Sequence, residues 1–256
     1  MVTVCIVTKM KKMWIVIVVL FILSIGYFVF YRQSSMQPSV PSINITTSER
    51  MVFGTSKKSA HWESNTPAHG STFAGVPINV VIDFNFDLAV PSNISITKEG
   101  KEYGVGKTTI DTNKLSMRTM IDPDIPDGTY TVVYSACWPD KSCHDGNYQF
   151  VIDRRLADGY MDFRGKKDVT IDLKEIEFFP KKVRISKFTR VTWKNTDSVE
   201  HYINSDAHPS HTFFPEQNSK ALKNGDAYAV VFSNPGEYPY HCSAHAQTMT
   251  GSVLVE

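Results

Sequence analysis

The chain has 256 residues, with 27 Lys plus Arg against 26 Asp plus Glu and a net charge of +1. A balance so close to neutral gives no attraction to nucleic acid or to another strongly anionic partner. An apolar content of 42% excludes a disordered composition, and the length allows one or two domains.

Residues 13 to 31, from Met13 to Tyr31, carry no charge. As a helix rising about 1.5 Å per residue they would span roughly 28 Å, close to the hydrocarbon thickness of a bilayer. Trp14 lies at one end and Tyr27 and Tyr31 at the other, as interface anchors would. Lys9, Lys11 and Lys12 precede the run and only Arg32 immediately follows, which puts the N-terminus in the cytoplasm. Residues 1–33 are therefore expected to be a cytoplasmic stub and one transmembrane anchor. A cleaved secretory signal is the alternative, although the apolar run is long for one and no Ala-x-Ala-like site follows it. Both readings export the remainder. The expected product is a single-pass protein of the cell membrane with its C-terminal domains extracytoplasmic, periplasmic or extracellular.

Residues 34–58 are rich in Ser, Pro and Thr without periodicity and read as a flexible tether. Asn44-Ile-Thr and Asn93-Ile-Ser are glycosylation acceptor patterns, which are frequent by chance. From 59 to 153 strands alternate with turns. In Ile78, Val80, Ile82, Phe84 and Phe86 every second residue is apolar, the period of a strand. Pro123-Asp-Ile-Pro-Asp-Gly is a turn leading into Thr129-Tyr-Thr-Val-Val-Tyr, and Tyr148-Gln-Phe-Val-Ile closes the segment. Short strands at this spacing predict a β-sandwich. Residues 154–168 read as a charged connector. From 169 to 256 strands resume, including Arg190-Val-Thr-Trp-Lys-Asn and Gly236-Glu-Tyr-Pro-Tyr-His-Cys, and predict a second sandwich. The expected fold class is all-β, two sandwiches behind one N-terminal helix.

Of the four cysteines, Cys5 belongs to the cytoplasmic side. Cys137 and Cys143, six positions apart, suit a short loop disulfide in an oxidising compartment. Cys242 is left without a partner. It is followed by His245 and Met249, and His201 lies at the end of another predicted strand. Soft thiolate and thioether with imidazole is the donor set that suits copper, and two His, one Cys and a weak axial Met describe a blue-copper electron-transfer site. Alternation along the strand puts Tyr238, Tyr240 and Cys242 on one face and His241 on the other. Zinc would use the Cys and the two His, but a thioether adds nothing for it.

Residues 169–256 resemble a cupredoxin of the plastocyanin–amicyanin type. The resemblance is carried by Phe179-Pro-Lys-Lys-Val, by Val191-Thr-Trp-Lys-Asn-Thr-Asp with His201, and by Phe232-Ser-Asn-Pro-Gly-Glu-Tyr-Pro-Tyr before Cys242. It implies a Greek-key sandwich with one type 1 copper held by His201, Cys242, His245 and Met249. Three residues separate His245 from Met249, one fewer than plastocyanins usually have and one more than amicyanin. Residues 59–153 resemble the CopC family of copper-binding Ig-like sandwiches, through Ala60-His61-Trp-Glu-Ser-Asn-Thr-Pro-Ala-His-Gly and Pro126-Asp-Gly-Thr-Tyr-Thr-Val-Val-Tyr-Ser. That resemblance implies copper ligation by His61 and His144. Here His61 is internal rather than an N-terminal residue with a free amine. Ser142-Cys143-His144 replaces the family's Asp-x-His, with Asp140 or Asp145 as possible substitutes. Met117 and Met120 resemble the family's Met-rich Cu(I) site, yet two Met in a strand are more often core filler.

The implied function is a membrane-anchored blue-copper protein that carries single electrons on the outer face of the membrane, with His245 as the electron exit. Its partners would be membrane redox complexes or soluble electron-transfer proteins, with the lipid bilayer engaged through residues 13–31. Copper binding and delivery in extracytoplasmic homeostasis is the alternative. A third reading is a copper-dependent reductase. In copper nitrite reductases, a His directly before the blue-copper Cys binds a second, catalytic copper across a subunit interface, and His241 holds that position. Such a site needs further His residues, and the sequence offers no convincing set. His241 is therefore expected to be an outward-facing surface residue, His208 and His211 plain loop residues, and the protein not an enzyme.

Overall fold

The computed structural model describes residues 53–256. The expected anchor at 13–31 lies outside the described residues, and no helix among those described is long and apolar enough to cross a membrane. The described chain is all-β, with two sandwiches in succession.

In the first sandwich, a four-stranded sheet runs Trp62–Thr66, Asn79–Phe84, Ser116–Ile121, Gly104–Ile110 in spatial order. It faces a five-stranded sheet of Thr72–Phe73, Cys143–Ile152, Gly128–Cys137, Ala89–Lys98 and Lys101–Glu102. The core between them holds Val80, Ile82, Phe84, Met117, Tyr130, Val132 and Phe150. Burying such side chains contributes roughly 1.5–3 kcal/mol each. Met117 packs into this core while Met120, three residues on, points outward and is exposed, so only one of the two methionines fills it. The Cys137–Cys143 disulfide is formed and closes the hairpin whose strands place those two residues opposite each other.

In the second sandwich, Glu177–Phe179, Asp168–Lys174, Arg190–Asn195 and Ala227–Val231 form one sheet. Met161–Asp162, Lys182–Ile185, Thr250–Val255, Gly236–His241 and Asn204–Ser205 form the other. Ile171, Trp193, Phe232, Tyr238, Tyr240 and Val253 are buried between them, together with Cys242 and Met249. Residues 154–168 form a short 3-10 turn at Arg154–Gly159 and a strand paired in parallel with Lys182–Ile185. Ala157 and Tyr160 pack there against Ala74 and Leu254.

The two sandwiches are packed directly on each other. Strand Asn79–Phe84 is buried along its whole length, because its second face meets the second sandwich instead of water. Asn79 Nδ2 donates to the Phe213 carbonyl at 3.3 Å. The carboxylate of Asp83, 2% exposed, accepts from Ser64 and Ser116 at 2.7 Å within its own sandwich. From the loop 206–214 of the other it accepts from Ser210 at 2.8 Å and Thr212 at 2.7 Å. A second buried carboxylate, Glu237, reciprocates. It accepts from the N–H groups of Ala74 at 2.5 Å and Gly75 at 3.0 Å, from Tyr160 OH at 2.5 Å and from Ser252 Oγ at 2.9 Å. Gly236 permits this approach, since its φ is +145° and a Cβ there would lie 2.6 Å from Ile78 Cγ2.

A carboxylate buried among four hydroxyls loses all of those bonds when truncated, and hydrogen bonds to charged groups are worth about 1.5–3 kcal/mol each. Asp83→Ala is expected to lower the unfolding free energy by about 3 kcal/mol after the hydroxyls find partial replacements. The measurement is urea unfolding, in which an unchanged midpoint would remove Asp83 as a structural clamp.

Candidate metal centre

The site grows from the end of strand Gly236–His241. Tyr238, Tyr240 and Cys242 all enter the core, as alternation requires, and the thiol is free and wholly buried. A 3-10 turn, Ser243–His245, then reverses the chain. The Cys242 N–H donates to the Met249 carbonyl at 2.9 Å, and both His245 N (to Cys242) and Met249 N (to His245) donate within the loop at 2.8 and 2.9 Å. His201 reaches the same point from the loop after Arg190–Asn195, and it is fixed by a two-way backbone bridge to Leu222.

These elements bring three of the four expected donors together. Cys242 Sγ lies 3.6 Å from His201 Nδ1 and 3.7 Å from His245 Nδ1. Bonds of about 2.3 Å to sulfur and 2.05 Å to nitrogen, as in zinc sites, would put S and N about 3.6–3.8 Å apart at angles of 110–120°. The spacing therefore fits a single ion held by all three groups. Met249, 1% exposed, is buried in the same apolar cluster as the thiol. The Tyr202 N–H points at Cys242 Sγ at 3.4 Å.

Around the donors the polar groups are organised. His201 Nε2 is 2.8 Å from Asp197 Oδ2, which leaves Nδ1 as the nitrogen turned to the cluster. Burial alone would raise the Asp197 carboxyl. The N–H groups of Ile176 and Glu175 and the His201 ring outweigh it and hold the carboxyl below its ordinary range. Asn195 secures the same loop, donating to the Val199 and Leu222 carbonyls at 2.8 and 2.7 Å and accepting from Asp197 N at 2.8 Å. Trp193, Tyr240 and Phe178 pack edge to face beneath, at centroid separations of 5.3 and 4.7 Å.

The structure departs from the sequence reading at His241, which is not an outward-facing surface residue. It is 2% exposed, because the loop 206–214 folds over the face it points to. His208 and His211 lie in that loop, and a ligand nitrogen of each comes within 4.8 Å of the others and of His241. The convincing set of further histidines that the sequence did not offer is thus assembled by the fold. Burial, followed by the neighbouring His241 and His208, pushes His211 down to about 4 and keeps its imidazole neutral at ordinary pH.

His61 and His144 are not brought into any such group. The ring of His61 stacks on Phe86 with centroids 4.8 Å apart, and its Nδ1 lies 3.2 Å from Asn85 Oδ1. His144 is exposed on strand Cys143–Ile152. Among the described residues, neither joins a cluster of three potential ligands.

Residues 166–256 match the family of copper binding proteins described as plastocyanin/azurin, and residues 62–153 match the CopC domain. Amicyanin-alpha of Methylorubrum extorquens is 30% identical over 86 residues, covering 34% of this chain and 70% of that protein. Among solved structures, a purple cupredoxin from Nitrosopumilus maritimus is 30% identical, covering 35% of this chain and 100% of that one with a TM-score of 0.29. A Cu(I) form of a mutant amicyanin is 22% identical, covering 35% of this chain and 83% of that one, with a TM-score of 0.31.

Outer carboxylates that orient a ligating imidazole typically contribute 10- to 100-fold to metal affinity. Asp197→Asn is expected to weaken copper retention by about that factor, read by competition with a chelator. Equal retention in the variant and the parent would show that the Leu222 bridge alone orients His201.

Proposed function

We propose that this chain, which belongs to the plastocyanin/azurin family of copper binding proteins, carries single electrons at the outer face of a membrane through one type 1 copper held by His201, Cys242, His245 and Met249. The support is the wholly buried Cys242 thiol with an imidazole Nδ1 at 3.6 Å on one side and 3.7 Å on the other. Bound there, copper supplies a one-electron couple. Cys242 would supply the thiolate, His201 and His245 the two imidazoles, and Met249 a weakly binding thioether.

The residues themselves favour electron transfer over release of the metal. Two backbone bonds tie Cys242 and Met249 to their own loop, Leu222 pins His201, and Asp197 holds its ring. Donors so constrained change little between oxidation states. The apolar shell of Trp193, Phe178 and Tyr240 excludes water and tunes the potential. His245 alone of the three clustered donors is only half-buried, which makes its ring the electron exit. Copper delivery is favoured by the CopC match, yet His61 and His144 stand apart from any clustered donor set among the described residues.

The full chain loaded with Cu(II) is expected to show an intense blue thiolate-to-copper band that Cys242→Ser abolishes and that a His61→Ala, His144→Ala double variant leaves intact. A band that survives in Cys242→Ser would end the type 1 reading, and one lost with the His pair would transfer it to the delivery reading. The uncharged run 13–31 is expected to keep the expressed chain in the membrane fraction through an alkaline carbonate wash and to release it in detergent. Release by carbonate alone would remove the anchor.

A further inference from the structure

Five of the 8 histidines fall from residue 201 to residue 245, and three of them are not donors of the first centre. We propose that His208, His211 and His241 form a second copper site, built on the opposite face of the strand that supplies Cys242. His241 Nε2 and His211 Nε2 are 3.1 Å apart, and a nitrogen of His208 lies within 4.8 Å of both. Two nitrogens at that separation subtend about 100° at an ion 2.05 Å from each, an angle ordinary for imidazole ligands.

The groups that would hold these rings are in place. His241 Nδ1 is 2.8 Å from Asp206 Oδ1, which fixes the ring and leaves Nε2 turned to the cluster, the carboxylate–histidine arrangement of metal sites. The His211 carbonyl accepts from Ser205 Oγ at 3.1 Å and Asn218 Nδ2 at 2.8 Å, so the loop cannot swing freely. Ser210 and Thr212, the residues on either side of His211, are the two that donate to Asp83 of the first sandwich. Ser243 Oγ approaches His211 Nε2 at 3.1 Å. His208 is exposed, its ring nitrogens have no hydrogen-bond partner among the described residues, and it lines a cavity of about 500 Å³ between the sandwiches with Lys57, Lys58 and His69. An ion therefore has an entry path.

Three imidazole donors suit either copper or zinc, and at equal availability the order of divalent affinities favours copper. The Cys242–His241 peptide would join the two centres by covalent bonds. That link rests on the type 1 reading of Cys242, whereas the three-imidazole site does not.

The test uses the full chain saturated with Cu(II), desalted, and measured by metal content and electron paramagnetic resonance. Two coppers per chain are expected, one with the narrow hyperfine splitting of a blue centre and one with the wide splitting of an imidazole site. His208→Ala with His211→Ala is expected to remove one copper and the wide signal while the blue band, itself the proof of folding, persists. Cys242→Ser is expected to remove the blue band and keep the wide signal, so that failure of the first site and failure of the second are told apart. One copper in the parent chain, or a wide signal indifferent to the double His variant, would overturn the second site. Two metals of which the second is zinc, even from an equimolar copper and zinc mixture, would overturn its assignment to copper.

Discussion

Neighbouring residues of a β-strand point to opposite faces, and at the end of strand Gly236–His241 this geometric rule governs everything that follows. Cys242 turns inward into the core that holds Trp193 and Tyr240, and His241 turns to the far side. A thiol sent into an apolar core has no hydrogen-bonding solvent and no disulfide partner, and what meets it there is two imidazoles and the Tyr202 N–H. An imidazole sent to the far side would be a surface group unless something covered it. The loop 206–214 does so, and it brings two more imidazoles with it.

Both buried histidines are held in the same way. His201 presents Nε2 to Asp197 and keeps Nδ1 for its cluster, while His241 presents Nδ1 to Asp206 and keeps Nε2 for its own. In each case a carboxylate selects which nitrogen faces inward, and a backbone anchor fixes the ring's origin: the Leu222 bridge for one, the pairing of Asn204 with His241 for the other. The repetition argues that the second cluster is constructed rather than a chance accumulation, since a chance surface histidine has no need of a carboxylate and a strand pairing to fix its ring.

Much of this was legible in the sequence. The alternation of Tyr238, Tyr240 and Cys242, the Cys-x-x-His step to His245 and the upstream His201 are local patterns whose consequences do not depend on how distant loops close. The period-two run from Ile78 to Phe84 revealed one buried face, but not that Asn79, Val81 and Asp83 are buried too. Polar side chains on the second face read as solvent-facing until another domain supplies their partners. His208-Pro-Ser-His211 gave no signal for the same reason. Its relation to His241 depends on the antiparallel pairing of Asn204 and Ser205 with His241 and Tyr240 and on the clamp at Asp83, both of them long-range. The one available hint was the density of histidines between 201 and 245.

The first sandwich then has a physical role that does not require it to bind metal. Its own expected ligands, His61 and His144, are engaged by Phe86 and Asn85 in one case and by solvent in the other. What it contributes instead is a buried carboxylate at the right height. A nine-residue loop fixed only at its ends would sample many conformations, and ordering each residue costs about 1–2 kcal/mol of backbone entropy. Two charge-assisted hydrogen bonds donated to Asp83 by Ser210 and Thr212, one on each side of His211, offset part of that cost where the ligand sits. Glu237, reaching the opposite way into Ala74 and Gly75, keeps the two sandwiches from sliding and so keeps Asp83 in register with the loop. On this argument the domain that resembles a copper binder acts on metal at one remove, by holding still the histidines of its neighbour.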